Sequence, residues 1–438
     1  MKTRYLIPFL LLPFAACKKD GPTIQPIDVQ VKLSYADEQL NTKLDLTKVE
    51  LKLTNLSTGN SALFKPSDGI VTMDGLAPGK YDIDASVTIT KENYKNLTGI
   101  EKADDVVFNA SLKNYNLDFS ATIDMELVTG LIGDFVIKQI YYAGSDTKEG
   151  AVFRDQFIEI HNNTDRVLYA DSLYIARAWG KQSTTDTEKY YYQSNGQMDW
   201  SRSVSNSIGE AANTDYVYLS DLLMVPGTGK SHPVQPGKSI VIAQNALNHK
   251  VPFVGNNGKE VSVRNPDLTV DLSKANFEVH YGEIPGKKLL ASDIDNLDVP
   301  NLEILAYEGS DWVLDNNGRD SYVVFRRSSR TEVDALKGYY APQSVAPGTG
   351  AVVYKQLPIS WITDGVEVQP TLAADRIPKK LHASVDAGFS FATAGRYSSQ
   401  SIIRKTEKTE NGVVKLKDSN NSTEDFVVIK ANPWGFSN

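Results

Sequence analysis

Cysteine is almost absent from the chain, which has one cysteine, Cys17, in 438 residues. A single cysteine excludes disulfides within the chain, cysteine-ligated metal centres and redox sites built from a cysteine pair. Basic residues are not in excess either, because 46 Lys and Arg stand against 54 Asp and Glu, for a formal charge of −8. Proteins that neutralise phosphates need a basic surface, so we expect no nucleic-acid partner.

Long apolar runs are also missing, and the one marked apolar segment is residues 5–14, which follow Lys2 and Arg4. Its length of about ten residues is too short for a hydrocarbon core, which takes about 20 residues of helix to cross. A basic start, a short apolar run and the small residues Ala15 and Ala16 are typical of a secretory signal.

Cys17 follows the two alanines directly, and this segment resembles the lipobox of bacterial lipoproteins, with Phe14 in the place of the usual leucine. The resemblance implies cleavage before Cys17 and acylation of that residue, which anchors the protein to a membrane. We therefore predict a signal peptide over residues 1–16 and a lipid-anchored tether over 17–26. The charged residues after Cys17 resemble export signals of Bacteroidota surface lipoproteins, which implies an outer-membrane location facing the cell exterior. A soluble secreted protein is the alternative.

Residues 27–129 show the apolar–polar alternation of half-buried β-strands, for example over 29–33, 49–53 and 81–89. The same alternation predicts one long strand over 114–128. The segment from Gly75 through Pro78 and Gly79 to Tyr81 indicates a tight turn between two strands. It resembles the corner of prealbumin-like β-sandwiches, which implies a prealbumin-like module of the kind that serves as a stalk or spacer.

Residues 130–438 are also rich in strand patterns, and four stretches in order resemble a lamin-tail-like immunoglobulin β-sandwich. They are residues 155–175, 234–243, 312–334 and 399–426. Because a β-sandwich of this kind takes only about 100 residues, long insertions are expected, near 179–230 and 245–300. Short helices are conceivable within 220–224 and 244–249. The predicted fold class is therefore all-β, a prealbumin-like sandwich followed by a lamin-tail-like sandwich with insertions.

Taken together, the lipobox and the two modules resemble a family of uncharacterised Bacteroidota outer-membrane lipoproteins. Such proteins are often encoded beside TonB-dependent receptors. The resemblance implies a non-enzymatic accessory of an uptake system, which binds a ligand or a barrel receptor. An adhesive or structural surface protein, or a hydrolase with its site in the insertions, are the alternatives.

Tyrosine is abundant, with 21 residues, and Tyr190, Tyr191 and Tyr192 are consecutive. Alternation along a strand places at least one of three consecutive rings on the outer face. Together with Trp200, these tyrosines form a candidate surface for a small-molecule or glycan ligand or for a protein partner, since tyrosine combines apolar area with a polar tip. Ordinary strand positions are the alternative, because tyrosine is common in β-sheets.

Two clusters of acidic and amide residues are weak candidates for calcium, which prefers oxygen ligands. The oxygen donors are Asp293, Asp295 and Asp298 in the first cluster and Asp315, Asn317 and Asp320 in the second. Neither cluster has the spacing of a helix–loop–helix calcium loop. Such side chains commonly stabilise turns instead, so turn formation is the alternative. No cofactor is expected.

Two further motifs resemble catalytic or nucleotide-binding sequences only in part. Residues 227–231 resemble the end of a phosphate-binding loop, but Met224 stands where the first glycine is needed. Residues 388–392 resemble a nucleophile elbow around Ser390, but Ala392 replaces its second glycine. We therefore predict no catalytic residues and no enzyme.

Overall fold

The computed structural model describes residues 25–101, 105–129, 133–186 and 189–437. The predicted signal peptide 1–16, the lipidation site Cys17 and most of the tether lie outside these ranges, as does Gly130 at the predicted module boundary. None of the helices within the described ranges is long and apolar enough to cross a membrane.

The first part of the chain forms seven strands in the order β3-β2-β5-β6-β7-β1-β4. The strands are β1 (Ile27–Tyr35), β2 (Glu50–Asn55), β3 (Ser61–Phe64), β4 (Ile70–Leu76), β5 (Gly79–Ile89), β6 (Val106–Leu117) and β7 (Ala121–Thr129). Helix α1 (Lys91–Thr98) joins β5 to β6, and 3₁₀ turns cover Glu38–Leu40 and Leu46–Lys48.

Alternating side chains explain how this part encloses its own core. Every second residue of β1, from Ile27 to Tyr35, is buried, while the residues between them are exposed or half-buried. Strands β6 and β7 pair only around Phe108 and Asn109, so the strand path bends there and the two halves enclose one apolar cluster. The predicted turn around Pro78 is confirmed, because β4 ends at Leu76 and β5 begins at Gly79.

The prediction of a single strand over 114–128 is wrong. Strand β6 ends at Leu117 and β7 begins at Ala121, with a turn between them that leaves the Phe119 side chain 81% exposed. The turn contains Asp118 and Ser120, and the Ser120 hydroxyl accepts a hydrogen bond from the backbone N–H of Asp28 at 3.0 Å. Alternation continues across the turn by coincidence, so periodicity alone missed it.

The rest of the chain holds two larger sheets. Their main strand orders are β20-β21-β12-β11-β19-β22, with β18 also paired to β12, and β17-β14-β9-β8-β23-β26. The strands are β8 (Phe135–Tyr141), β9 (Phe157–Asn162), β10 (Leu168–Tyr169), β11 (Leu173–Ala178), β12 (Tyr216–Met224), β13 (Pro233–Val234), β14 (Ser239–Ala243), β15 (Phe253–Val254), β16 (Glu260–Val261), β17 (Phe277–Glu278), β18 (Glu303–Ala306), β19 (Ser321–Arg326), β20 (Gly338–Tyr340), β21 (Val353–Pro358), β22 (Ile362–Glu367), β23 (Gln400–Arg404), β24 (Thr406–Glu410), β25 (Val413–Leu416) and β26 (Phe426–Lys430).

Helical structure in this part is limited to short segments among the described residues. The α-helices are α2 (Ala211–Thr214), α3 (Arg330–Asp334) and α4 (Ser422–Asp425), and the 3₁₀ turns are Trp200–Arg202, Pro266–Leu268, Tyr281–Glu283, Ile359–Trp361 and Ala373–Asp375. The prediction of a short helix within 220–224 is wrong, because these residues belong to strand β12. The predicted all-β, sandwich-type fold is confirmed.

The inner faces of the two large sheets share one apolar core, to which Ile160 of β9 and Val324 of β19 both contribute. Strands β8 and β9 are buried along their whole length, because the chain end covers their outer face as well. There the Lys138 ammonium lies 2.7 Å from Glu159 and 3.7 Å from the Phe436 ring centroid. The polar residues on the outer face of β8 and β9 are therefore buried, and Lys138 and Glu159 form an ion pair there.

A buried arginine connects the two sheets. The Arg404 guanidinium, at the end of β23, donates two hydrogen bonds to Asp364 of β22, at 2.7 and 2.9 Å. It also contacts Asp418 at 3.0 Å and Asp425 at 3.5 Å, and all four side chains are at most 3% exposed. Burying these charges without partners would be costly, so the cluster fixes how the sheets and the 417–425 segment meet.

The first part of the chain contacts the second through a few polar and aromatic groups. The Asn109 side chain donates a hydrogen bond to the Ser419 carbonyl at 2.8 Å. The Lys113 ammonium lies 5.5 Å from the centroid of the Phe389 ring, and the Arg376 guanidinium carbon lies 4.8 Å from the same ring. The exact boundaries of the predicted modules stay a prediction.

Candidate functional site

An aromatic cluster stands at one end of the sheet that contains β11, β12 and β21. Trp179 directly follows β11, Trp200 begins a 3₁₀ turn, Tyr218 lies in β12, and Tyr339 and Tyr354 lie in β20 and β21. Strands β12 and β21 are paired, so the register brings rings from distant segments together. Packing of these rings thus attaches the segment between β11 and β12 to the sheet.

The rings pack against one another at close range. Trp200 stacks on Tyr218 with ring centroids 3.5 Å apart, and Trp179 stacks on Tyr354 at 4.0 Å. The two tryptophans meet edge to face at 5.9 Å, and both are less than 10% exposed. Such pairs stabilise a fold beyond their burial, so this cluster is a small second core. Trp200 is therefore mainly a packing residue.

The three consecutive tyrosines lie at the edge of the cluster, and each is half-buried. Tyr190 contacts Trp179 edge to face at 5.7 Å, and Tyr192 contacts Tyr190 at 6.4 Å. Tyr191 has a different neighbour, because the Arg202 guanidinium carbon lies 3.5 Å from the centroid of its ring. The structure thus brings the predicted residues Tyr190, Tyr192 and Trp200 into one cluster and places Tyr191 against an arginine.

A cleft of about 60 Å³ opens beside the two tryptophans. Besides these rings, its walls include Lys181, Gln193, Gln197, Tyr216, Lys380 and His382. The two glutamine amides are held by the backbone, since Gln193 donates to the Met198 carbonyl at 2.8 Å and Gln197 to the Lys379 carbonyl at 2.9 Å. We call this space the aromatic cleft.

The lysines around the aromatic cleft have no carboxylate within ion-pair distance among the described residues. The Lys380 ammonium donates to the Arg319 carbonyl at 2.5 Å, and the Lys379 ammonium donates to the Asp386 carbonyl. Burial lowers the pKa of both amines because it disfavours their charged form. Desolvation also lowers the pKa of His382, although this residue is exposed at the surface.

The aromatic cleft combines apolar and polar groups in its walls. Its ring edges offer apolar contact, while its amides and amines offer hydrogen bonds, the usual composition of a small-molecule site. A volume of about 60 Å³ admits one end of a ligand rather than a whole drug-sized molecule. This combination suits a sugar ring edge or another small polar group.

In the first group of calcium candidates, two of the three carboxylates accept hydrogen bonds from other residues of the chain. The Asp293 carboxylate contacts the His280 ring at 3.0 Å and accepts from the Tyr281 backbone at 3.0 Å. Asp295 accepts from the Asn301 amide at 3.1 Å, and Asp298 is exposed. Burial raises the pKa of Asp293, an effect opposed by the nearby imidazole.

The second group behaves in the same way. Asp315 pairs with Arg319 at 2.7 Å and also accepts from the amide of Asn317, at 3.1 Å. Asp320 pairs with Arg177 at 3.3 Å. Within the described ranges, no group of three His, Cys, Asp or Glu residues is arranged to hold a metal ion. Calcium stays a prediction, and the observed partners are those expected of turn-forming and ion-paired carboxylates.

The segment that resembles the end of a phosphate loop already surrounds a carboxylate. The backbone N–H groups of Gly229, Ser231 and His232 all donate to Asp171, at 2.9 to 3.0 Å. These bonds outweigh the effect of burial and hold the pKa of Asp171 at about 2. These backbone N–H groups, which would bind phosphate in a phosphate-binding loop, therefore bind the carboxylate of Asp171.

Ser390, at the centre of the elbow-like motif, lies on an isolated bridge with Val368. Its backbone N–H donates to the Glu367 carbonyl at 2.9 Å, and its carbonyl accepts from Gln369 at 3.1 Å. The flanking Phe389 ring makes the contact with Lys113 described above. The motif thus belongs to the junction between the two parts of the chain.

One part of the chain matches a described protein family. Residues 235–433 match the model of DUF4876, a protein of unknown function. No curated protein matches the chain.

Solved structures show the same likeness. A crystal structure of a DUF4876 family protein from Bacteroides thetaiotaomicron has 23% identity and a TM-score of 0.51, covering 94% of this chain and 98% of that chain. This similarity shows a shared fold. Together the two matches support likeness to a Bacteroidota family of unknown function, while the prealbumin-like and lamin-tail-like descriptions stay predictions.

Two other structures are more distant. A DUF3823 family protein from Bacteroides uniformis has 11% identity and a TM-score of 0.15, over 35% of this chain and 67% of that chain. A protein from Parabacteroides distasonis, named for a proposed role in cell adhesion, has 10% identity and a TM-score of 0.14, over 65% of this chain and 100% of that chain.

Sequence reasoning missed several residues of the aromatic cleft. Trp179 was predicted only as the start of an insertion, and Gln197 and Lys380 carried no motif at all. Lys380 is 200 residues from Gly180, yet its side chain fills the space that a Cβ at that glycine would occupy, 2.9 Å away. A tryptophan directly after a strand was the one available signal.

Proposed function

We propose that this protein is a non-enzymatic cell-surface lipoprotein that binds a small-molecule or glycan ligand. In this proposal it is an accessory component of an outer-membrane, TonB-dependent-type uptake system. The observation that carries the binding role is the aromatic cleft, in which tryptophan and tyrosine rings stand beside amides and amines. The signal-like N-terminus and Cys17 support the location.

The chemistry of the aromatic cleft favours a sugar-like group over a purely apolar one. Ring faces and edges contact the C–H surface of a sugar, and Lys181 and Tyr216 stand at the wall as hydrogen-bond donors. The neighbouring Tyr192 hydroxyl is buried without a hydrogen-bond partner among the described residues. The tryptophans are held by stacking, so the wall is preorganised and little ordering accompanies binding.

The proposal predicts that ligand binding changes tryptophan fluorescence. We would titrate the purified protein with maltohexaose, xylohexaose and cellohexaose and record emission, because Trp179 and Trp200 border the aromatic cleft. A saturable change with one of these glycans is expected. Tyr216→Ala should weaken it about tenfold, the size of one lost ring contact with a hydrogen bond.

Tyr307→Ala is the matched control, since Tyr307 is 41% exposed and does not line the aromatic cleft. It should leave the affinity unchanged. Equal affinity of the wild-type protein and the Tyr216→Ala variant would refute the assignment of the cleft. Absence of a saturable signal with all three glycans would refute neutral hexose chains as its ligands.

A further inference from the structure

A second, larger cavity lies at another end of the sandwich. Its volume is about 620 Å³, within the range of about 300–1,000 Å³ that is usual for small-molecule sites. Its walls come from the start of β8, the corner before β11, the end of β19 and strand β22, and include Phe135, Ser172, Arg326, Ser328 and Thr363. We call it the arginine cavity.

Arg326 is the one lining cation of the arginine cavity that has no acidic partner among the described residues. Two acidic residues line it, but Asp134 is paired with Arg166, and Asp171 is bound by three backbone N–H groups. Arg327 is paired with Glu332. The described residues give the Arg326 guanidinium neither an ion pair nor a hydrogen bond, and its aromatic neighbour Phe135 is 5.9 Å away. Arg326 is exposed and open to a ligand, whereas the charge of Asp171 is held in hydrogen bonds to backbone N–H groups.

Two hydroxyl groups line the same space without a partner among the described residues, those of Ser172 and Ser328. Ser172 has a φ of 56°, a left-handed conformation that is costly for any residue except glycine, with asparagine and aspartate next in tolerance. Strained residues of this kind concentrate at functional sites. Glycine adopts this conformation without cost, so a Ser172→Gly variant removes the hydroxyl without straining the backbone.

We infer that the arginine cavity binds a small hydroxylated carboxylate, such as an acidic sugar. The Arg326 guanidinium matches a carboxylate with two parallel hydrogen bonds, which is the strongest geometry available to it. The hydroxyls of Ser172 and Ser328 are partners for hydroxyls of the ligand. This site is separate from the aromatic cleft and shares no lining residue with it.

The test is calorimetric titration of the whole protein with glucuronate at low salt, with glucose as the neutral analogue. We expect saturable binding of glucuronate and none of glucose. Arg326→Gln should weaken glucuronate binding at least tenfold, because a charge-assisted pair is lost. Arg264→Gln, the same change at an exposed arginine outside the cavity, should leave it unchanged.

Ser172→Gly separates a binding role from a structural one. Glycine relieves the backbone strain, so the thermal midpoint should stay the same or rise, while glucuronate affinity falls several-fold. A lower midpoint with unchanged affinity would make Ser172 structural and overturn its assignment. Lack of glucuronate binding, or equal affinity of the Arg326→Gln variant, would overturn the inference itself. Tyr216→Ala should not affect glucuronate, which keeps this result independent of the aromatic cleft.

Discussion

Asp155 shows how a single buried carboxyl can set the pH response of this fold. Its side chain is fully buried beside Tyr141, whose hydroxyl donates to Oδ2 of Asp155 at 3.2 Å. The other oxygen has no hydrogen-bond partner among the described residues. Burial is the largest cause that raises the pKa of Asp155 to about 7, against hydrogen bonds that lower it. The folded state therefore binds this proton more tightly than the unfolded chain.

We predict that Asp155 makes the protein less stable as pH rises. Below about pH 4 the protonated Asp155 contributes up to about 4 kcal/mol to the free energy of unfolding. This contribution is lost as the pH rises from about 4 to about 7. The Asp155→Asn variant cannot titrate at this position, so its free energy of unfolding should fall less between pH 5 and pH 8 than that of the wild-type protein. Urea unfolding at pH 5 and pH 8 measures it, with Asp74→Asn at an exposed position as the control. An unchanged pH dependence in Asp155→Asn would contradict the prediction.

At the scale of elements, the segment between β11 and β12 is held to the sheet by rings rather than by a strand ladder. The isolated bridges of Tyr190 with Gln343 and Tyr192 with Met198 are its only strand-like pairings within the described residues. The stacked pair of Trp200 and Tyr218 lies at the centre of the attachment. The position of the aromatic cleft therefore depends on packing of this segment.

We predict that Trp200→Ala loosens the segment between β11 and β12 without unfolding the sheet of strands β1 to β7. Loss of a buried tryptophan costs about 3–5 kcal/mol, and here the loss falls on one local attachment. Hydrogen exchange should become faster over residues 189–218 and stay unchanged over 27–89. Tyr191→Ala is the control, because that ring is half-buried and outside the stacked cluster. Uniformly faster exchange along the chain would show that the cluster supports the whole fold instead.

At the scale of the whole molecule, the predicted lipid anchor lies close to the folded part. Strand β1 begins at Ile27, so the predicted tether over 17–26 spans at most about 35 Å when fully extended. The contacts of Asn109 and Lys113 with the second part of the chain hold the two parts against each other.

We predict that Cys17→Ser releases the protein from the outer-membrane fraction. Removal of the acylated residue removes the lipid chains that hold the protein. Fractionation of cells measures the release. Crosslinked co-purification from native outer membranes should recover a TonB-dependent barrel with the wild-type protein but not with the Cys17→Ser variant. Tight membrane association of Cys17→Ser would contradict the anchor, and recovery of the wild-type protein without any barrel would contradict the uptake role.

Local sequence patterns were sufficient to predict the all-β class and the turn around Pro78. Side chains alternate in direction along a strand, so burial on one face is visible in local periodicity, as in β1. That periodicity also misled over 114–128, because a short turn can leave the alternation in phase. The single cysteine and its neighbours predict an outer-membrane location, which stays a prediction. The consecutive tyrosines indicated one edge of the aromatic cluster.

Tertiary structure alone decided which distant residues meet. The pairing of Arg404 with Asp364, the stack of Trp179 on Tyr354 and the arginine cavity all join segments far apart in the chain. Such contacts depend on strand order and sheet packing, which leave no local pattern around either partner. The calcium candidates illustrate the same point, since Asp320 is paired with Arg177 and the sequence around Asp320 gives no sign of it.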